Sequence, residues 1–422
     1  MDVIQEVSVV GPRQFRNNDV AIGAGNEFWT ACRSNGLAGI VANLTGDGML
    51  EDPDGFRFLN LSCCSYLDLD SHPQIIEGAI EALRKYGVLD HCISRIRIQL
   101  PMLLELEEAL GGLFDARVVS AISASAATAG VLPLLASGHL TRGERPLMIF
   151  DKFAHFSMNL FKPVCADETT VLTCPNNDLN FIEDQCKRNH KVAYVTDGTF
   201  SMGGHADVAG LLELQDRYGL FLYFDDSHSL SVAGSRGEGY VRSQIASLSD
   251  DTIIVATLNK AFGSSGGAIM LPKSRTDMED ILTRFGGPLA WSQPMNTAAV
   301  GASLASAQLH DSPELKLRQS QLDANILRFD AQVLTPQRGN GFPIKVVPVA
   351  NTRVVSCAQE LLRRGYYVSP VFFPIVPRSQ AGLRVMLRSG LSPAAVDHLC
   401  KSIIDVVGQD VEVKHDQDAT VQ

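Results

Sequence analysis

The sequence predicts an α/β protein with a mostly parallel sheet. Two short runs, residues 220–224 and 252–256, are almost wholly apolar and do not alternate, which is typical of strands buried on both faces of a parallel sheet. From residue 118 onward such runs alternate with loops and helical segments, and this order favours a sheet with helices on both faces. After Pro288 a different mixture of helices and short strands indicates a smaller α+β part.

Apolar runs, helical periodicity and end signals predict the individual elements. One helix opens at Pro73 and stops at Gly87, because proline suits a first turn and glycine suits a helix end. Up to Pro288 the predicted strands are 56–61, 118–122, 147–150, 192–195, 220–224 and 252–256, with further helices at 101–110 and 208–218. Beyond it we predict a helix-rich segment over 297–334, strands at 344–349, 366–371 and 383–387, and helices at 354–364 and from Pro393 to Gly408.

The length of the chain predicts more than one domain. Its 422 residues exceed the roughly 250–300 at which a single hydrophobic core stops growing. We expect a large domain over residues 55–290 and a smaller C-terminal domain over residues 291–410. Residues 1–54 show little periodicity and are predicted to form an N-terminal arm or a segment of the small domain, and the polar tail 411–422 is predicted to fray.

Composition narrows the function classes. A formal net charge of −11 argues against a nucleic-acid partner. No apolar stretch reaches the roughly 18–20 residues that a membrane-spanning helix needs, and the first residues lack a signal-peptide pattern, so we expect a cytoplasmic protein. The nine cysteines include no CxxC pair, so we expect reduced thiols and no metal site.

Polar side chains follow five of the predicted strands, where ligands bind in open α/β sheets. They are Ser123, Ser125 and Thr128; Asp151 and His155; Asp197 and Ser201; Asp225 and His228; and Thr257 and Lys260. Asp225 and Lys260 alone could be a structural ion pair. However, a lysine that forms a Schiff base, an acid that keeps a pyridine nitrogen protonated and a helix start that binds phosphate are together the requirements of pyridoxal 5'-phosphate (PLP). The sequence therefore predicts a PLP site.

The strongest motifs are Asp-Asp-Ser-His at 225–228 and Thr-Leu-Asn-Lys-Ala-Phe-Gly at 257–263. They resemble the α-oxoamine synthases of the fold-type-I PLP-dependent enzymes, the group of aminooxononanoate synthase, aminoketobutyrate ligase, aminolevulinate synthase and serine palmitoyltransferase. The resemblance extends over nearly all of the chain after residue 55 and includes the segments LSCCSYLDL, DKFAHFS, TDGTFSMGG and GLRVML. Ordinary aminotransferases usually carry tyrosine at the position of His228, so this residue favours the synthases.

The resemblance implies a role for each motif residue. Lys260 would form the Schiff base with the cofactor, Asp225 would bond the pyridine nitrogen, His228 would bond the phenolic oxygen, and His155 would stack on the ring. The phosphate would be bound by Ser123, the amides of Ala124 and Ser125, Ser201, Thr257 and, across a subunit interface, Ser292. Arg384 would bind the amino acid's carboxylate as a bidentate partner, although Arg388, four residues on, could take this role instead.

The chain departs from the family pattern in the substrate region. Cys64 occupies the position of the asparagine that helps to bind the carboxylate, and Asp68 occupies that of a glycine. Because a thiol is a weak donor, we expect that contact to be weakened or replaced. Arg95 ends Ile93-Ser94-Arg95, where the family has Gly-Ser-Arg, and is predicted to contact substrate. Phe-Ala-His at 153–155 and Ser-His-Ser-Leu at 227–230 are also similar to the divergent α-hydroxyketone autoinducer synthases.

The function implied by the resemblance is a decarboxylative Claisen-type condensation of an amino acid with an acyl thioester, carried by coenzyme A or a carrier protein. The product would be an α-amino ketone, and the enzyme a homodimer with its site between subunits. Two alternatives stay open at this point: an aminotransferase or other PLP enzyme of the same fold type, and a PLP-binding scaffold without catalysis. The presence of Asp225, His228 and Lys260 argues against the scaffold.

Overall fold

The computed structural model describes residues 14–15, 18–46, 48–90, 94–373, 376 and 380–408. The predicted tail 411–422, Ile93 and part of the predicted N-terminal segment lie outside the described residues. The chain divides into two compact units, one of residues 1–18, 64–322 and 388–390, the other of residues 19–63, 323–387 and 391–422. The domain limits expected at residues 55 and 291 concern independently folding parts and stay predictions.

The described residues form strands in both units. In chain order they are β1 (Asn43–Leu44), β2 (Leu50–Glu51), β3 (Arg57–Asn60), β4 (Arg117–Ala121), β5 (Leu147–Asp151), β6 (Val171–Cys174), β7 (Val192–Asp197), β8 (Phe221–Asp225), β9 (Thr252–Thr257), β10 (Gly267–Leu271), β11 (Ile344–Pro348), β12 (Tyr366–Tyr367), β13 (Ser369–Val371) and β14 (Gly382–Met386).

Helices connect most of these strands. They are α1 (Asn18–Ser34), α2 (Pro73–Tyr86), α3 (Pro101–Phe114), α4 (Ala124–Ala136), α5 (Phe156–Asn159), α6 (Lys162–Ala166), α7 (Leu179–Arg188), α8 (Val208–Tyr218), α9 (Tyr240–Ser243), α10 (Thr276–Phe285), α11 (Pro288–Trp291), α12 (Thr297–His310), α13 (Pro313–Gln332), α14 (Val354–Arg363) and α15 (Pro393–Val407). Among the described residues, no helix is both long enough and apolar enough to span a bilayer.

A seven-stranded sheet with the order β4-β10-β9-β8-β7-β5-β6 forms the centre of the first unit. Strands β9, β8, β7, β5 and β6 pair in parallel, whereas β10 is antiparallel to both of its neighbours. The predicted mostly parallel sheet is therefore confirmed. Strands β6 and β10 were not predicted, since β6 is a short edge strand with one exposed residue, Thr173, and β10 begins at a glycine.

The central strands do not alternate between apolar and polar residues, and the reason lies in their packing. Leu222 and Phe224 of β8 enter one apolar core, whereas Phe221 and Tyr223 enter a second core on the opposite face of the sheet. All four side chains are fully buried. Burying a large apolar side chain stabilises a fold by roughly 1.5–3 kcal/mol, so both faces of each strand must carry apolar residues.

The second unit contains two smaller sheets, β1-β2-β3-β12 and β11-β14-β13. The strand predicted over 366–371 is divided between them, because Tyr366 pairs with Leu59 of β3 whereas Ser369 pairs with Arg384 of β14. The predicted single strand is thus wrong: the chain changes sheets at Val368. Arg384 lies in the middle of β14, which β11 and β13 flank.

Helices α2 and α12 cross at two glycines of the first unit. A Cβ atom on Gly301 would lie 2.3 Å from the carbonyl oxygen of Gly78, and a Cβ on Gly78 would lie 2.7 Å from the Cβ of Ala305. Such separations are far inside van der Waals contact with backbone atoms, so the crossing requires glycine at both positions.

We predict that Gly301→Ala destabilises the protein by about 1–3 kcal/mol, because the two helices must move apart. Gly112→Ala is the matched control: Gly112 is also helical, but no atom lies within 4 Å of its added Cβ. Alanine there should stabilise by up to about 1 kcal/mol. Thermal unfolding of both variants measures the difference, and equal melting temperatures would contradict the packing argument.

Candidate active site

The carboxyl ends of the central strands meet at one edge of the sheet. Asp197, the last residue of β7, is the cross-strand partner of Asp225, the last residue of β8. Thr257 ends the neighbouring strand β9 and is the partner of Gly267, the first residue of β10. The strand register therefore brings together the polar strand ends that the sequence predicts to meet.

Asp197 and Asp225 are both buried, with 2% and 4% of their surface exposed. Asp225 Oδ1 accepts a hydrogen bond of 3.0 Å from the backbone N–H of Ser227. Burial raises the pKa of Asp197 well above its usual value, the neighbouring charge of Asp225 raises it further, and the charge of Lys260 opposes the rise. Two adjacent carboxylates in a low dielectric are costly when both are ionised, so a cation beside them would be stabilising.

His155 lies at the start of α5, on the loop after β5. Its backbone N–H donates to Asp197 Oδ2 at 2.7 Å, which fixes the main chain beside the two acids. The side chain is exposed, and its Nδ1 lies 2.9 Å from the hydroxyl of Ser157. The main chain of His155 is thus fixed beside Asp197, while its imidazole contacts Ser157.

His228 is buried in the turn that follows β8. Its Nδ1 lies 2.7 Å from the hydroxyl of Tyr66, and the two side chains are 4% and 0% exposed. This contact fixes the orientation of the imidazole and leaves Nε2 as the other ring position. Tyr66 was not predicted as a site residue because it is 162 positions away in sequence. Its place in the LSCCSYLDL segment was the available signal.

The N-terminus of α4 provides a place for an anion. Ser123 caps the helix by accepting a hydrogen bond of 3.1 Å from Ala126 N, so its hydroxyl is engaged locally. The first amides of an α-helix have no partner within the helix and lie at its positive end. A Cβ on Gly267 would lie 2.6 Å from Ala124 N, so glycine there permits the close approach of β10 to this helix start.

The loop between β9 and β10 carries Lys260 and is anchored on several sides. Leu258 N donates to Gly266 O at 2.9 Å, which closes the loop at its base. Two buried serines of α12 contact it further along: Ser306 Oγ donates to Phe262 O at 2.5 Å, and Ser303 Oγ lies 2.7 Å from Ser264 Oγ. The lysine itself is half-buried. A rigid loop thus presents one amine at the site edge.

The other predicted phosphate ligands are less closely defined. Thr257 Oγ1 donates to the side chain of Asn259 and lies 3.2 Å from Gly266 O, so this hydroxyl has local partners. Ser201 is half-buried in the turn after β7. Ser292 ends α11, and its hydroxyl donates to Gln293 at 3.1 Å. Their phosphate contacts stay predictions.

The predicted substrate residue Arg95 has a different immediate environment from the one expected. It is 5% exposed, pairs with Glu107 of α3 at 2.9 Å, and donates to Ser120 O of β4 at 3.1 Å. The guanidinium therefore joins a helix to a strand. Cys64 is half-buried, and its carbonyl accepts a hydrogen bond of 2.9 Å from Tyr66 N. Their contact with substrate stays a prediction.

The two arginines that could bind a substrate carboxylate differ in their partners. Arg388, in the first unit, forms an ion pair of 2.6 Å with Asp68. Arg384, in the second unit, contacts Met386 Sδ at 3.7 Å, and its buried Nε has no hydrogen-bond partner in the described part of the chain. Because Arg388 is already paired with a carboxylate, this comparison favours Arg384.

The side chains present fit PLP. Asp225 is a buried carboxylate that a protonated pyridine nitrogen would neutralise, and the amides at the start of α4 would receive a phosphate. Lys260 lies on the anchored loop after β9, and His228 and His155 lie in the turns after β8 and β5. This set, on this sheet, defines a fold-type-I PLP-dependent enzyme.

Comparison with known proteins gives the family. The model of the class I and II aminotransferases matches residues 58–403, and the chain belongs to that family. It is 28% identical over 365 residues to the 8-amino-7-oxononanoate synthase of Beijerinckia indica, covering 85% of this chain and 90% of that one. The enzyme of the same name from Alkaliphilus metalliredigens is 29% identical over 368 residues, with the same coverage.

Solved structures show the same fold. Serine palmitoyltransferase of Sphingomonas wittichii superposes with a TM-score of 0.80 at 17% identity, over 94% of this chain and 98% of that one. The 8-amino-7-oxononanoate synthase of Francisella tularensis gives a TM-score of 0.68 at 18% identity, over 82% and 97%. The predicted fold type, PLP dependence and resemblance to the α-oxoamine synthases are thereby confirmed.

Asp226, the residue after Asp225, is buried in a way that should make the stability of the fold depend on pH. It is 1% exposed, its Oδ2 accepts a hydrogen bond of 2.9 Å from Val241 N, and its Oδ1 has no partner among the described residues. Burial raises the pKa of Asp226 to about 7. The folded protein therefore retains this proton at pH values where the unfolded chain has released it.

We predict that Asp226 makes the protein less stable as the pH rises from about 4 to about 7, by up to about 1.4 kcal/mol per pH unit. Asp226→Asn removes the titration and keeps an acceptor for Val241, so its loss of stability over this interval should be smaller. Denaturant unfolding at several pH values measures both slopes. Identical slopes would show that Asp226 is ionised throughout.

Proposed function

We propose that this chain catalyses the decarboxylative condensation of an amino acid with an acyl thioester. The products are an α-amino ketone, carbon dioxide and the free thiol. The observation that carries the proposal is that β8 and the turn after it carry both the buried Asp225 and His228, whose ring is oriented by the Tyr66 hydroxyl. The neighbouring strand β9 leads into the Lys260 loop. Relatives named 8-amino-7-oxononanoate synthase, aligned over most of their length, support the same reaction class.

Each binding group has a defined task in this proposal. Asp225 would hold the protonated nitrogen of PLP, His228 would bond its phenolic oxygen, and His155 would contact the ring. The α4 amides, with Ser123, Ser201 and Thr257, would bind the phosphate, and Ser292 would do so across the subunit interface. When bound, PLP supplies an electron sink for negative charge at the substrate's α-carbon.

Lys260 performs the proton transfers. Its Nζ would take the proton from the amino acid's α-carbon and return one to the product. The anchored loop limits how far this amine can move. His155 donates to the oxygen of the thioester carbonyl as negative charge develops there, and Asp197 keeps its backbone in place. When this oxygen re-forms the carbonyl, its electron pair breaks the bond to sulfur, and the thiol leaves as a thiolate.

Arg384 binds the carboxylate of the amino acid, which later leaves as carbon dioxide. The proposal follows from the absence of an ion pair at Arg384 among the described residues and from the pairing of Arg388 with Asp68. Cys64 and Arg95 belong to the same substrate region in the proposal. The homodimer, the lack of a nucleic-acid partner and the cytoplasmic location complete it as predictions from the sequence.

The first test uses Lys260→Ala, with Lys187→Ala on the exposed face of α7 as the control. The wild type should release carbon dioxide only when amino acid and acyl thioester are both present. Lys260→Ala should lose the visible absorption of lysine-bound PLP and at least about 10³-fold in rate, because it lacks the base. Conversion of the bound cofactor to its amine form by amino acid alone would instead favour an aminotransferase.

The second test separates the two arginines. Arg384→Lys keeps a positive charge but loses the planar pair of donors, so KM for the amino acid should rise about tenfold or more while KM for the thioester changes little. Arg364→Lys, at the exposed end of α14, is the control. An unchanged KM in Arg384→Lys would remove this residue from the proposal.

A further inference from the structure

Asp68 occupies a backbone conformation that ordinarily favours glycine. Its φ angle is 51°, in the left-handed region, where most side chains are strained. The turn is fixed on its N-terminal side, since Asp68 N donates to Ser65 O at 3.0 Å. An aspartate at such a position needs a reason in its side chain, because glycine or asparagine would fit the backbone at least as well.

The carboxylate of Asp68 binds three consecutive residues of a distant segment, 388–390. Oδ1 lies 2.6 Å from Arg388 Nη1, Oδ2 accepts a hydrogen bond of 2.7 Å from Gly390 N, and Ser389 Oγ lies 3.4 Å from Oδ2. Both charged side chains are only 15% exposed. Burial raises the pKa of Asp68, whereas the Arg388 charge and the Gly390 N–H oppose that rise. The carboxylate thus fastens the whole segment.

The fastened segment reaches the active site through one residue. Ser389 N donates to Tyr66 O at 2.9 Å, and the Tyr66 hydroxyl lies 2.7 Å from His228 Nδ1. Tyr66 is fully buried, so its ring has little freedom to adjust if its backbone moves. Asp68 therefore constrains the Tyr66 backbone in two ways. Its N–H closes the turn onto Ser65 O, and its carboxylate holds the segment whose Ser389 N–H donates to Tyr66 O.

We propose that Asp68 is a positioning residue that sets the Tyr66 hydroxyl against His228. It does so by clamping segment 388–390 onto the Tyr66 backbone, and it touches neither cofactor nor substrate. The inference rests on the proposed function only in that His228 faces the bound PLP. A second consequence follows from the ion pair: Arg388 is kept from acting as a carboxylate receptor, which reserves that task for Arg384.

The test compares Asp68→Gly, Asp68→Asn, Tyr66→Phe and the double variant Asp68→Gly/Tyr66→Phe in the holoenzyme. Glycine suits the left-handed turn, so loss of function in Asp68→Gly cannot come from backbone strain. Asparagine also tolerates this conformation and can still accept from Gly390 N, but it loses the ion pair. The readouts are the pH titration of the visible absorption of bound PLP, kcat and KM, and the melting temperature.

We expect the absorption titration of Asp68→Gly to shift in the same direction as that of Tyr66→Phe, with kcat lower by up to about 100-fold, the loss that a displacement of about 1 Å can cause. The double variant should be no worse than Tyr66→Phe alone, because both changes break one connection. Asp68→Asn should lie between wild type and Asp68→Gly. KM for the amino acid should change less than kcat.

Two results would overturn the inference: an unshifted titration in Asp68→Gly, or a double variant whose effects are the sum of the single ones. An unshifted titration with a lower melting temperature would show that the clamp is purely structural. The absorption readout needs only bound PLP and not turnover of an acyl thioester. If the wild type fails to condense the two substrates, the proposed reaction fails while the role of Asp68 is still decided.

Discussion

The placement of two acids side by side on adjacent parallel strands dominates the chemistry of this protein. Asp197 and Asp225 are cross-strand partners with almost no access to water, so ionising both of them at once is costly. The surrounding features reduce this cost: the His155 N–H and the charge of Lys260 act on Asp197, and a pyridinium ring would act on Asp225. Without the apolar cores on both faces of the sheet the acids would be hydrated.

Much of the fold could be predicted because parallel strands buried on both faces have a distinct sequence pattern. Strands β4, β5, β7, β8 and β9 were predicted to within one or two residues. The order of strands in the sheet was beyond local reasoning, and so were β6 and β10, whose short runs resemble loop and glycine-rich sequence. The strand assigned to 366–371 failed for a related reason, since nothing local signals that a chain will leave one sheet for another.

Local sequence was also informative for part of the candidate site. Lys260, Asp225, His228 and His155 belong to recognisable motifs, and the structure places them at or shortly after the ends of strands, while their roles stay predictions. Contacts between residues that are distant in sequence were not predicted, because local patterns give no information on them. They are the contact of the Tyr66 hydroxyl with His228, the Arg95–Glu107 ion pair and the Asp68–Arg388 ion pair. The guanidinium of Arg95 links α3 to β4, an environment that its position in the motif did not indicate, and its contact with substrate stays a prediction. The choice between Arg384 and Arg388 likewise needed the location of Asp68.

The antiparallel strand β10 has a consequence for the dynamics of the lysine. It returns directly beside β9, so the Lys260 loop is a short connection between two hydrogen-bonded strands in the interior of the sheet. Local opening in proteins usually begins at termini and exposed loops with few buried contacts. Here the lysine cannot be released by fraying of a peripheral element, because both of its attachments are central strands. The backbone of the Lys260 loop should therefore keep its place until the sheet itself unfolds.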